Sequence, residues 1–392
     1  MFFFFAFGVW SLASSYTAWR LLGPLVLGTW GKILAVFGVL VFIFLPFLYW
    51  RFSRRRESSP ASLLLSWITF LGMGVLNYLC LLLLLRDALW LVASLLSRFV
   101  SSVYGQSFFA ALPLSGADSN WWETTNLVIL GLAGLVVSYG VYQARKQPGV
   151  VEVHIPIEGL PAALAGLRLV QISDLHVGAT IRHKFVEKVV ERVRTLHADI
   201  IAFTGDVADG SVAHLRAHVA PLAELSAAHG KFFVTGNHEY YSGVESWTLE
   251  MQRLGFTVLL NQNRLVDFHG SKILLAGVTD FSAGYILPQQ ESKPARALAH
   301  EVKCDLKILL AHQPRSVFAA ADNDCDLQLS GHTHGGQFLP WNWLVPLQQP
   351  YVAGLFKHKN TWLYVSRGTG YWGPPLRIGA PSEITLITLT AQ

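Results

Sequence analysis

Between residues 174 and 334 the chain carries Asp174 and His176, Asp206 and Asp209, Asn237 and His238, His312, and His332 and His334, spread over five short pieces. Any one piece is ordinary, but the ordered set supplies carboxylates, imidazoles and an amide with no thiolate. Such donors suit manganese, iron or zinc better than calcium or a structural zinc finger. A shared carboxylate can hold two of these ions about 3.5–4 Å apart, where they activate water and clamp a displacement at phosphorus. The chemistry to expect is phosphoester hydrolysis. No G-x-x-x-x-G-K-[ST] loop is present, which argues against a P-loop NTPase.

Each piece follows an apolar run. Residues 167–172, 200–203, 232–235, 308–311 and 327–329 read as strands that end a few positions before Asp174, Asp206, Asn237, His312 and His332 respectively. Further strands are expected at 258–260, 273–276, 363–365 and 384–389, with helices at 183–197 and from about 207 to 228. The repertoire is α/β, with a mixed sheet or two sheets. Ligand sites in open α/β sheets gather beyond the carboxyl ends of the strands, so residues distant in sequence can meet there. Gly205, Gly236, Gly331 and Gly335 allow sharp turns and close approach. His183, His214, His218 and His229 fall in helical or loop contexts and are expected to be solvated.

The pieces read D-L-H, G-D-V-A-D, G-N-H-E, a separate H, and G-H-T-H. This pattern resembles the calcineurin-like metallophosphoesterases over roughly residues 165–392, and within them the membrane-associated YkuE-like branch. The resemblance implies a four-layer αββα sandwich, two packed sheets with helices outside. It also implies that Asp174, His176, Asp206 and His334 hold one divalent metal ion. Asn237, His312 and His332 would hold a second, with Asp206 bridging. His238 would face the scissile phosphate as the catalytic group rather than a ligand. Asp209 would orient His238 or a neighbour, although an Asp beside Gly210 is also an ordinary turn residue.

Composition divides the chain near residue 150. Residues 1–146 hold ten Lys/Arg, four acids and no histidine, which leaves 20 basic and 21 acidic residues and all 14 histidines for the rest. The basic excess therefore belongs to an apolar region, and no nucleic-acid partner is expected of the near-neutral remainder. The three cysteines form no C-x-x-C pair. Spans of about 20 apolar residues are long enough to cross a bilayer as helices, and four are expected, at 3–22, 33–50, 61–85 and 127–143. Residues 88–103 are expected to lie along the interface, a fifth span being the other option. Arg51, Arg54, Arg55 and Arg56, with Arg145 and Lys146, put both chain ends in the cytoplasm by the positive-inside rule, and Trp121 and Trp122 read as an outer aromatic anchor. The expected organisation is an α-helical transmembrane domain, 1–146, followed by a catalytic domain, 150–392, on the cytoplasmic face of the plasma (inner) membrane. Asp87 and Lys32 are placed at span edges, with almost no ionisable group inside the spans.

A tether of about seven residues, 144–150, would hold the catalytic domain against the bilayer. Trp341, Trp343 and Trp372 follow the G-H-T-H piece or the Arg367 loop and are candidates to receive an acyl chain, or simply to pack a long loop. Arg367 is a candidate phosphate clamp or a salt-bridge partner. The expected activity is hydrolysis of a phosphodiester or pyrophosphate in a lipid or lipid-linked substrate. The alternative is a transporter or membrane sensor that uses the same domain as a binding or regulatory module.

Overall fold

A computed structural model describes residues 2–53, 59–104 and 119–391. The basic residues Arg54, Arg55 and Arg56 lie outside the described residues. The chain divides into two compact units, 1–140 and 141–392.

The first unit is helical: α1 (Phe2–Leu22), α2 (Thr29–Ser53), α3 (Pro60–Tyr104) and α4 (Ser119–Arg145), the last running on into the second unit. In hydrocarbon a backbone must satisfy its polar groups internally, and near-unbroken runs of Leu, Phe, Val and Ala allow that as helix. Aromatic contacts tie the helices together, Phe7 to Phe44, Trp10 to Phe42 and Tyr49 to Phe70. Trp10 Nε1 also donates to the Ile43 carbonyl at 3.1 Å. Among the described residues, three helices are long and apolar enough to cross a membrane, Thr29–Tyr49, Pro60–Val103 and Asn120–Arg145.

Two points differ from the sequence reading: α1, over the expected span 3–22, is not one of these three helices, and the third helix is longer than expected. Residues 61–85 and 88–103 form a single 45-residue helix, about 67 Å long at 1.5 Å per residue. Arg86 and Asp87 read as an interruption because lone charges are costly in an apolar span. Here Asp87 Oδ1 pairs with Arg20 Nη2 at 2.7 Å and with Arg86 Nη2 at 2.9 Å, so the carboxylate is balanced within the bundle. The helical unit thus does contain buried ionisable groups, with Arg86 only 9% exposed.

Among the described residues, the second unit holds twelve strands. β1 (Gly149–Ile157), β2 (Arg168–Ile172), β3 (Ile200–Phe203), β4 (Lys231–Phe233) and β5 (Thr257–Val258) join one sheet. β6 (Gln262–Phe268), β7 (Ser271–Gly277), β8 (Leu306–Leu310), β9 (Leu327–Ser330), β10 (Gly354–His358) and β11 (Thr361–Val365) form the other. β12 (Glu383–Ala391) returns to the first sheet, whose order is β1-β12-β2-β3-β4-β5; the second runs β10-β11-β9-β8-β7-β6. β2, β3 and β4 are parallel, as are β7, β8 and β9. Parallel neighbours place their carboxyl ends together in each sheet.

Alternation along the strands fixes the layers. Leu306, Ile308 and Leu310 of β8 face Leu169, Ile200 and Ala202 of the first sheet in one inter-sheet core, while Leu309 points outward. Outside the first sheet lie α5 (His183–Arg194), α6 (Val212–Val219) and, after the short α7 (Asn237–Ser242), α8 (Val244–Arg253). Val186, Val189, Val190 and Val193 of α5 recur at helical spacing and are buried against that sheet. Beyond the short α9 (Ala283–Ile286), α10 (Pro294–Leu298) and α11 (Val317–Ala321) cover the outer face of the second sheet through Ala297, Leu298, Val317 and Ala320. The architecture is therefore the four-layer αββα sandwich. Only Lys146, Gln147 and Pro148 separate α4 from β1, and Ala144 in the last turn of α4 is fully buried in the core beneath α5.

Trp247 of α8 is fully buried and its Nε1 donates to the Gly210 carbonyl at 2.9 Å, in the loop that follows Asp209. Trp247→Ala is expected to cost about 3–5 kcal/mol and Trp247→Phe less, read as shifts in the midpoint of urea unfolding; equal costs would contradict this packing role.

Candidate metal centre

The parallel strands deliver the side chains. Asp174 stands two residues beyond β2, Asp206 three beyond β3, His312 two beyond β8 and His332 two beyond β9, while Asn237 opens α7 four residues after β4. Two sheets thus supply one cluster. The backbone bends sharply to aim them: Asp174, His176, Asp206, His332 and His334 all have φ between 51° and 71°. A non-glycine residue in that region costs of order 1–3 kcal/mol and persists only where its surroundings enforce it.

Three overlapping groups bring donor atoms within 4.8 Å of one another: Asp174, His176 and His334; His176, Asp206 and His238; and Asp206, His312 and His332. Asp206 Oδ2 lies 3.2 Å from His312 Nε2, 3.6 Å from His176 Nε2 and 4.0 Å from His238 Nε2. Its Oδ1 accepts the His238 backbone N–H at 2.9 Å. Asp174 Oδ1 lies 3.5 Å from His334 Nε2 and 4.0 Å from His176 Nε2. The Nε2 atoms of His176 and His334 face each other at 3.0 Å, and His312 Nε2 faces His332 Nδ1 at 3.2 Å.

Nearby acceptors set the tautomers. His312 Nδ1 donates to the Thr204 carbonyl at 2.8 Å, and His176 Nδ1 to Asp209 Oδ1 at 3.0 Å. In each neutral ring Nε2 then carries the free lone pair, as a metal ligand requires. Asn237 adds a further sign: its Oδ1 is buried without a hydrogen-bond partner. A buried amide oxygen normally finds a donor, so its orphaned state fits a cation. The donor set fits two divalent ions, one beside Asp174, His176 and His334 and one beside Asn237, His312 and His332, with Asp206 common to both.

Charge follows the same geometry. Burial disfavours ionised Asp206, yet His312, His238 and His176 hold its carboxyl well below the usual range. Burial opposes charge on His238, but Asp206 and Asp209 push its pKa up to about 9. Burial, then His312, lowers His332 to about 4; burial, then Arg377, holds His334 well below the ordinary value. Asp209 Oδ1 is 2.6 Å from His238 Nδ1 as well as 3.0 Å from His176 Nδ1, so one carboxylate orients both rings. Arg367 has a different partner. Its Nη1 pairs with Glu383 Oε2 at 2.8 Å, the salt-bridge option of the sequence reading. His183, His214, His218 and His229 stay out of all three groups.

Three residues of the cluster's support escaped the sequence reading. The buried Glu239 carboxylate accepts the backbone N–H groups of Gly236, Asp206 and Val207 at 2.7, 3.0 and 2.8 Å, stapling the loops after β3 and β4. Its place in the G-N-H-E piece was the available signal. Arg377, 1% exposed, donates to the carbonyls of His334, Arg367 and Gly370, and its Nη2 lies 3.0 Å from His334 Nδ1. Glu383 receives Arg367 and the Tyr364 hydroxyl. No local pattern marks the last two, which act from a loop and a strand start distant in sequence.

Residues 167–336 match the sequence profile of the calcineurin-like phosphoesterases. A zebrafish "Transmembrane protein with metallophosphoesterase domain" is 38% identical over 280 residues, covering 69% of this chain and 64% of its own length. An "Uncharacterized metallophosphoesterase" of Helicobacter pylori is 37% identical over 271 residues, 67% of this chain and 70% of that protein. The Bacillus subtilis "Uncharacterized metallophosphoesterase YkuE" is 34% identical over 238 residues, 59% of this chain and 81% of its own.

A Cβ at position 331 would collide with Ser173 Oγ and Asp174 Oδ2. Gly331→Ala is therefore expected to displace the Asp174 carboxylate and cost about one equivalent of divalent metal, while Asp206→Asn costs both. Elemental analysis of the purified variants, with circular dichroism to confirm folding, checks this; full metal content in Asp206→Asn would refute the shared site.

Proposed function

The chain belongs to the calcineurin-like phosphoesterase family, and we propose that it is a membrane-bound enzyme that hydrolyses a phosphodiester or pyrophosphate in a lipid or lipid-linked substrate. The observation that carries the reading is the position of Asp206 between two sets of imidazoles, with His238 beside them but paired to Asp209 instead. Asp174, His176, Asp206 and His334 would hold one ion, and Asn237, His312, His332 and Asp206 the other. When bound, two divalent ions, manganese, iron or zinc, would supply positive charge for phosphoryl oxygens and for activating water. His238 protonates the departing oxygen through Nε2, while Asp209 fixes the ring through Nδ1 and balances its charge.

The lipid part of the reading rests on the rim. Phe338 is buried, but Trp341, Trp343 and Trp372 are 50%, 69% and 56% exposed. Trp372 and the exposed Tyr241 stand with ring centroids 5.8 and 5.4 Å from that of His238. Apolar side chains left in water around a phosphoester site suit a substrate with an apolar part. The apolar helices and the transmembrane relatives support a membrane location. Arg145 and Lys146 at the end of α4 favour a cytoplasmic catalytic domain in a multi-pass plasma-membrane protein.

The test uses the full chain in detergent, loaded with manganese and assayed on a soluble aryl phosphodiester and on a phospholipid or lipid pyrophosphate in mixed micelles. His238→Ala is expected to lower kcat by about 10²–10⁴-fold with metal content unchanged; unaltered turnover would remove His238 from the reaction. Trp372→Ala is expected to raise KM for the micellar substrate several-fold and leave the soluble diester nearly unaffected. Equal effects on both would overturn the lipid assignment while leaving the phosphoesterase intact.

A further inference from the structure

The helical unit contains a feature that phosphoester hydrolysis does not use. A cleft of about 600 Å³ opens between α1, α2 and α3, lined by Thr17, Gly38, Phe42, Ile68, Gly72 and Leu79 among others. Its surface is almost all carbon. The α2 face is bare at Gly38, where a Cβ would meet nothing within 4 Å, whereas at Gly72 a Cβ would meet Phe42 Cε2 at 2.9 Å. A volume of this size lies within the range of about 300–1,000 Å³ common for ligand sites.

The same helix faces carry a cationic group further along. Residues three, four or seven apart share a helix face, so Arg20 continues the α1 face of Thr17 and Arg86 the α3 face of Leu79. Two guanidinium groups there share one carboxylate, that carboxylate is saturated, and Arg86 Nη1 donates in addition to Asn126 Oδ1 at 2.6 Å. Asp87 Oδ1 takes Arg20 Nη2 at 2.7 Å and Arg86 Nε at 3.0 Å, while Oδ2 takes the Tyr16 hydroxyl at 2.7 Å. Arg20 Nε is buried without an acceptor. The Trp122 ring lies 4.4 Å from the Arg20 guanidinium carbon and 4.7 Å from that of Arg86, holding both near each other. The cluster keeps one net positive charge in surroundings where unbalanced charge is costly. Planar guanidinium forks match phosphate oxygens.

We infer that this unit binds an anionic phospholipid, with an acyl chain in the α1–α2–α3 cleft and its phosphate against Arg20. The apolar cleft calls for the chain and the excess charge for the anion. The Asn126 side chain donates to the Arg20 carbonyl at 2.9 Å, so the cluster stands level with Asn126 on α4. That is about 28 Å along the helix from Arg145 at 1.5 Å per residue. The lipid bound here is a resident of the helical unit, separate from any molecule hydrolysed.

The experiment places the full-length protein in nanodiscs of phosphatidylcholine alone or with phosphatidylglycerol, and reads thermal unfolding and the lipid retained in native mass spectrometry. The wild type is expected to unfold several degrees higher with phosphatidylglycerol and to retain about one such lipid per chain. Arg20→Gln is expected to abolish the preference, and Gly38→Leu, which fills the cleft, to abolish retention; both should keep turnover of a soluble diester, which reports that they fold. Soluble glycerol 3-phosphate should give no shift, and a full shift would mean an anion site without a chain. Equal stability in the two lipids, preference retained in Arg20→Gln, or a change of oligomeric state in place of lipid loss in Gly38→Leu would each overturn the inference.

Discussion

A buried carboxylate surrounded by imidazoles sets the terms for the catalytic unit. Asp206 is 2% exposed, and ionising it there would be prohibitive without nearby positive charge or donors. The fold brings both from opposite sides. His176 and His238 arrive from loops of the first sheet, and His312 from the second. Neither sheet could hold this carboxylate alone, so the facing of the two sheets and the site are one problem with one solution.

The solution is held by a shell of groups that touch loops more than ligands. Glu239 collects three amide N–H groups and thereby locks the path of the chain on either side of Asp206. Arg377 gathers carbonyls from the segment after β11 and reaches His334. The left-handed backbone at Asp206 and His334 is held by these contacts. Glycine serves a distinct purpose at Gly236 and Gly331, where any side chain would occupy the space of the Asp206 or Asp174 carboxylate.

Much of this was legible in the sequence, for reasons that can be located. The cluster residues announce themselves because chemistry fixes their types, and the strands before them are short, apolar and buried on both faces, as in Leu306–Leu310. The sequence reading missed β6 and β10, the two edges of the second sheet, whose residues Gln262–Phe268 and Gly354–His358 mix charged and apolar groups because one side meets solvent. It also broke α3 at Arg86 and Asp87, since a charge pair within an apolar run looks like an end when its partners, Arg20 and Tyr16, are more than 65 residues away. Arg377 was invisible for the same reason: its role is defined by carbonyls, and any residue has one. Local pattern reveals what a residue is made for, but not which distant groups will compensate it.

The burial of Ala144 beneath α5 has a consequence for how the chain is divided. Hydropathy draws the border at the end of the apolar helix, whereas packing draws it at residue 141, inside that helix. Arg145 reinforces this by donating to the Thr180 carbonyl at 3.2 Å, as does Gln147 to the Lys188 carbonyl at 2.8 Å. The last turn of α4 therefore belongs to the second unit. Replacing α4 by an unrelated apolar helix would therefore also replace part of the core beneath α5.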